Sequence, residues 1–264
     1  MRHPRIRKGK PQFPKLLGGL VAFLLTLAAY LPSSPLRLTA IAASGALQRQ
    51  IGSMGWQPNA RAFLFHVPFH RQEHALSCEA ASLRSALLGI GVDVSESELL
   101  SKLPADPTPK TGTAWSGYGW GDPQRGFVGD VDGRMPSTGY GVFDQPLKFV
   151  ADMYASSSLI RVHDTRAIDA ALRERHPIIA WYVLGNRPSV MQWTTPEGKF
   201  IRAPLYEHTV VVVGYRGTAD AIEGVYIIDP ITSLRYEPWT DFVWRTSFFD
   251  HRGLEIAPGT KNKE

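Results

Sequence analysis

The segment from 178 to 230 constrains the fold more than any other part of this chain. It contains five runs of β-branched and aromatic residues, IIAWYVL, SVMQWTT, KFIRA, HTVVVVGY and VYIIDP, separated by turn-forming NRPS, PEG and RGTADAIEG. Such runs form strands, and the short connections between them permit antiparallel pairing. HTVVVVGY has no polar alternation, so it reads as a central strand buried on both faces, with His208 at its rim. If HTVVVVGY and VYIIDP pair as a hairpin around a loop near 216–223, the numbers of facing residues sum to about 439. Position 208 then lies opposite about 231, and Asp229 opposite about 210, so His208 and Asp229 emerge at one end of adjacent strands.

Helical patterns dominate upstream. FLFHVPF is a short strand in which Phe63, Phe65 and Val67 alternate before Pro68. A helix is predicted from Ser77 to about Ile90, carrying Leu83, Leu87 and Ile90 at helical spacing and ending at Gly89 and Gly91. In SESELLSKLP, Ser95 and Glu98 occupy capping-box positions. Residues 112–141 hold nine glycines and read as a loop. A helix resumes near Gln145, LIRVH reads as a strand, and Asp164 caps a helix that Pro177 ends. Helices first and an antiparallel sheet afterwards make an α+β domain over 63–256, followed by a tail over 257–264.

Charge divides the chain differently. The formal net charge is +5, yet the first acidic residue is Glu73. The remainder from that point carries more acids than bases. A folded surface that binds nucleic acid needs clustered cations, so no nucleic-acid partner is expected. Arg2, Arg5, Arg7, Lys8, Lys10 and Lys15 precede the apolar run LLGGLVAFLLTLAAYL. Residues 1–15 therefore read as a basic cytoplasmic tail and 16–31 as a signal anchor or signal peptide, spanning roughly 24 Å as a helix. The one good Ala-x-Ala, at 40–42, lies well beyond the apolar run, which favours an uncleaved anchor. Residues 32–62 read as a stalk, and the domain is expected outside the membrane.

The chain has one cysteine, which excludes intramolecular disulfides and cysteine-based structural metal sites. Ser77 as N-cap puts Cys78 in the first turn of a helix, where the dipole and free N–H groups lower a thiol pKa. His208 supplies a base and Asp229 a carboxylate to orient it. Gln72 can donate its side-chain amide to an oxyanion beside the Cys78 N–H.

These residues carry a resemblance. QEHALSCEAASLRSALL, WGDPQRGFVGDVDG, GYGVFDQPL, EHTVVVVGY and IIDP together resemble the double-glycine, bacteriocin-processing type of cysteine peptidase, in its stand-alone exported branch, over about 64–240. The resemblance implies a papain-like fold, with Cys78 as nucleophile, His208 as general base and acid, Asp229 orienting it and Gln72 in the oxyanion hole. The separation of about 130 residues between Cys78 and His208 agrees with papain-type spacing. Relatives often have Gly-Pro after the cysteine where this chain has Glu79-Ala80, and no GxxxxGK[ST] is present. The expected activity is hydrolysis of a peptide or protein substrate without cofactor or metal, at the cell membrane through the N-terminal helix. Two alternatives keep part of this reading: an amidase or endopeptidase acting on peptidoglycan stem peptides, and a catalytically silent surface-binding module.

Other signals are weaker. His66, His70 and His74 recur every four residues, but Pro68 breaks the helix that would align them on a metal. In GDVDG, Gly133 comes too early for an EF-hand, leaving Asp130 and Asp132 in a shaped turn beside the cleft. Trp115, Tyr118, Trp120, Phe127 and Tyr140 form either an apolar substrate wall or a loop folded onto the core.

Overall fold

The computed structural model describes residues 62–259, all within one compact unit. The tail, the apolar segment 16–31, nearly all of the stalk and the last residues lie outside the described part. Among the described residues, no helix is long and apolar enough to cross a membrane.

The fold is α+β. A seven-stranded sheet, antiparallel throughout, runs in the order β13-β12-β11-β8-β14-β7, with β1 paired beside β11. Its members are β1 (Ala62–Leu64), β7 (Ser156–Arg161), β8 (Ile178–Val183), β11 (Glu207–Thr218), β12 (Ala221–Asp229), β13 (Ser233–Pro238) and β14 (Arg252–Ala257). β11 is central, as its unbroken valine run requires: Val210, Val211, Val212 and Val213 are all buried. Its first half pairs with β8 and its second half with β1 along the same edge. On its other edge Val211 faces Ile228 and Val212 faces Ile227, matching the expected sum of 439. A bulge between Val212 and Gly214 then shifts the register, and the strands continue to Thr218 and Ala221, so the turn is tighter than expected.

Helix α1 (Cys78–Gly89) packs on β11 and β8. It is buried nearly all round, from Cys78 to Leu83 and again at Ser85, Ala86 and Leu87. α2 (Glu96–Lys102) begins as the capping box demands, with Ser95 Oγ accepting the Glu98 N–H at 3.1 Å. α3 (Asp144–Ala151) packs against β7 and β14. In α4 (Thr165–Arg173), Asp164 caps by accepting the Arg166 and Ala167 N–H groups. α5 (Trp239–Ser247) contacts β8, β12 and β13.

Two expectations are corrected. The glycine-rich stretch is not a plain loop. It contains β3 (Thr111–Thr113), β4 (Gly117–Gly119), β5 (Phe127–Gly129) and β6 (Gly139–Gly141). β3 and β4 join β9 (Val190–Thr194) and β10 (Phe200–Pro204) in a four-stranded sheet, while β5 and β6 join β2 (Ala105–Asp106) in a three-stranded one. The second correction is that the helices do not all precede the sheet, since α5 follows β13 and covers one face.

Leu83 is fully buried in the core that α1 shares with the sheet. Leu83→Ala is expected to lower unfolding free energy by about 3 kcal/mol, measured by urea titration. A change below about 1 kcal/mol would show that α1 is not packed as described.

Candidate active site

Cys78 is the first residue of α1 and is buried. Ser77 stands at the N-cap position but does not cap with its side chain: its Oγ accepts the His74 N–H at 3.1 Å instead. The segment leading into the helix is tied down on several sides. Gln72 N donates to the Pro230 carbonyl at 3.1 Å, beside Asp229, and Leu76 N donates to Val131 O at 2.8 Å. Fully buried Glu96 accepts the Glu73 N–H and lies 2.6 Å from His70 Nε2. His74 Nδ1 meets Asp132 at 2.9 Å. The GDVDG turn is thus tied to the segment that leads into α1. His66 is exposed and His70 and His74 bond different acids; His70 with Glu73 and Glu96 forms a group whose ligand atoms lie within 4.8 Å of one another, close enough to hold a metal ion.

His208 and Asp229 come together as the hairpin register requires. His208 Nε2 lies 3.0 Å from Asp229 Oδ1, and both side chains are buried. An Nε2–H donated to this carboxylate leaves Nδ1 as the proton acceptor. Burial raises the Asp229 carboxyl, but the hydrogen bond and charge of His208, the Ile231 N–H and Arg235 outweigh it, holding the group well below the usual carboxylate range. Arg235 also donates to the Tyr182 hydroxyl, and the Tyr182 ring lies 6.4 Å from that of His208.

The alternation along β11 divides the site. Thr209 Oγ1 lies 3.0 Å from Ser82 Oγ of α1, so Thr209 and Glu207 face the nucleophile helix. His208 is directed to the opposite face, with its pairing partner Tyr182. Among the described residues no hydrogen bond joins Cys78 to His208. The Cys78 thiol donates to Glu79 Oε2 at 3.3 Å. Burial pushes this thiol well up, and the Glu79 and Glu207 carboxylates add to the effect, against hydrogen bonds from Thr209. The expectation of a lowered thiol is corrected here, because desolvation and two adjacent acids exceed what the helix start supplies.

Gln72 is near the site but engaged. Its Nε2 donates to the carbonyls of His74 at 2.8 Å and Ala75 at 3.1 Å, which uses both N–H groups. Donation to an oxyanion requires one of them to be released. The aromatics of the glycine-rich stretch split between both earlier readings. Trp120, Phe127 and Tyr140 are buried, with Trp120 and Tyr140 packed on Trp193, whereas Trp115 is fully exposed. Tyr118 lines an open groove of about 600 Å³ together with Lys110, Met191, Phe200 and Leu205. The residues that sequence reasoning missed are Glu79, Glu207 and Thr209.

The site brings together a thiol at a helix start and an imidazole–carboxylate pair at the ends of two adjacent strands, β11 and β12. The chain belongs to the Peptidase_C39 like family, whose model matches residues 65–248, and it is thereby a cysteine peptidase. Among solved structures it is similar to a protein described as a C39-like peptidase from Bacillus anthracis, at 21% identity and a TM-score of 0.58, covering 74% of this chain and 96% of that one. Looser likenesses are to the peptidase domain of Streptococcus ComA, a bi-functional ABC transporter (14% identity, TM-score 0.44, covering 73% and 99%), and to a double glycine motif protease from an AMS/PCAT transporter in complex with the leader peptide (16%, 0.42, covering 76% and 96%). At these values the first supports the fold and the other two carry no argument. No curated protein matches.

A carboxyl held below its ordinary value contributes stability that is present above about pH 3.9 and is lost as pH falls through the depressed value. Asp229→Asn removes that contribution. The stability gap between wild type and Asp229→Asn, from urea midpoints, is therefore expected to narrow as pH falls from 6 to 3. A constant gap would show that Asp229 is not held ionised by His208.

Proposed function

We propose that this chain is an exported, membrane-anchored cysteine peptidase that hydrolyses peptide bonds with Cys78, His208 and Asp229, and with Gln72 as an oxyanion donor. The observation that carries the reading is the buried pairing of His208 Nε2 with Asp229 at 3.0 Å, which presents Nδ1 as a base on a strand packed against the Cys78 helix. Membership of the peptidase family supports the reaction class. The six-cation flank before the apolar run supports export of the domain.

In this mechanism the Cys78 side chain turns from Glu79 toward Nδ1, which takes its proton as sulfur attacks the peptide carbonyl. The Cys78 N–H and a released Gln72 N–H receive the oxyanion. His208 then protonates the leaving amine, and water, deprotonated by His208, hydrolyses the thioester. Asp229 keeps the imidazole in the required tautomer throughout. The groove lined by Tyr118, Met191 and Phe200 offers an apolar surface for substrate side chains on the sheet that leads into β11.

Cys78→Ala is expected to abolish labelling by a thiol-directed epoxide and to lower kcat/KM on fluorescent casein by at least about 10³-fold, with an unchanged near-ultraviolet dichroism spectrum. Retained hydrolysis would sink the mechanism. Gln72→Ala is expected to lower kcat about 10²-fold with little change in KM. An effect confined to KM would assign Gln72 to substrate binding instead.

A further inference from the structure

Glu79 and Glu207 have no part in the mechanism above, yet they are the charged groups placed against the nucleophile. Both are buried, at 1% and 6% exposure. Cys78 Sγ and a carboxylate oxygen from each lie within 4.8 Å of one another. Glu79 reaches this position from the first turn of α1, Glu207 from the first residue of β11. Glu79 Oε1 accepts the Val142 N–H at 2.7 Å, while Oε2 accepts the Cys78 thiol. Glu207 Oε1 is buried without a hydrogen-bond partner. Gly141 lies against both: a Cβ there would stand 2.7 Å from Glu79 Oε1 and 2.9 Å from Glu207 Oε2. The glycine allows the backbone to close over the pair.

Neither acid forms an ion pair among the described residues. The groups around the cluster are the Thr209 hydroxyl on β11, which bonds the Cys78 thiol and lies 3.0 Å from Ser82 Oγ on α1, and the buried phenol of Tyr140 on β6, whose hydroxyl donates to Pro204 O at 3.2 Å. Arg252 on β14, the cation acting on that phenol, is committed to Asp144 at 2.9 Å. Two adjacent buried carboxyls without a cation cannot both ionise. Burial raises both groups, Glu79 to about 7 and Glu207 well above the ordinary carboxyl range, Glu207 also through the charge of Glu79. At neutral pH the pair retains a proton.

We propose that Glu79 and Glu207 are positioning residues that hold Cys78 as a hydrogen-bonded thiol in the resting enzyme, so that sulfur loses its proton to His208 only during attack. This rests on Cys78 being the nucleophile of the proposed peptidase. It differs from a resting thiolate–imidazolium pair in where the proton is. In the free enzyme the proton stays on sulfur and points at Glu79. In catalysis it passes to His208 Nδ1 as the carbon–sulfur bond forms, and then to the leaving amine.

Because Cys78 is the only cysteine in the chain, its ionisation can be read directly by thiolate absorbance at 240 nm, with Cys78→Ser as the blank. The titration uses the full chain and needs no substrate. Wild type is expected to show no thiolate at pH 7 and a midpoint above that of a free thiol, about 8.5. Glu79→Gln and Glu207→Gln, which keep shape but remove charge, should each bring the midpoint down by a pH unit or more. Glu79→Asp, which restores a carboxylate, should return it toward wild type. Should either glutamine variant fail to fold, as judged by near-ultraviolet dichroism, the wild-type midpoint and the other variant decide. A wild-type thiolate already formed at pH 7, or midpoints unmoved in the folded variants, would overturn the proposal. Failure of the peptidase reading would appear separately, as casein hydrolysis persisting in Cys78→Ala.

Discussion

The site depends on the register of the first residues of β11. Glu207 through Val212 pair with β8 on one side, and Val211 and Val212 pair with β12 on the other. Because side chains alternate along a strand, a slip of one residue would send His208 to the nucleophile helix and Thr209 to the opposite face. It would also separate His208 from Asp229. The valine run would exchange like for like in such a slip; the buried polar residues Glu207, His208 and Thr209 before it are the ones that a slip would misplace.

The same alternation separates two kinds of acid–base chemistry. On the α5 face, His208, Asp229, Arg235 and Tyr182 form a connected network in which the carboxylate is held ionised by the His208 Nε2–H and the Arg235 guanidinium. On the α1 face, Cys78, Glu79 and Glu207 form a cluster with no cation, in which charge is disfavoured. The two sides meet at the start of β11. The proposed mechanism requires the Cys78 thiol, which is bonded to Glu79 here, and the His208 imidazole, which is bonded to Asp229, to come together there.

Much of this was legible in the sequence. The hairpin symmetry correctly places His208 beside Asp229, and the capping signals correctly start α2 after Ser95 and α4 after Asp164, while α1 starts at Cys78 without a side-chain cap from Ser77. The short strands of the glycine-rich stretch were not legible, because strands of three residues such as GYG carry no hydrophobic period. α5 was missed for a related reason: only Phe242 and Thr246 of WTDFVWRTS are buried, too few to mark a helical stripe. The burial of Glu79 and Glu207 is a tertiary effect. Glu79 sits in the first turn of a helix, where an acid is ordinarily a solvated complement to the dipole, and only the closure of Gly141 and Val142 over it reveals otherwise. The departure from Gly-Pro after the cysteine was the sole sign that this position differs.

The most direct test of the account is a crystal structure of the enzyme after reaction with a thiol-directed peptidyl epoxide. It should show the inhibitor carbon bonded to Cys78 Sγ and His208 Nδ1 within hydrogen-bond distance of that sulfur or of the inhibitor oxygen, with Nε2 still on Asp229. An adduct at Cys78 with the imidazole remaining on the far face of β11, out of reach, would contradict the assignment of His208 as the base.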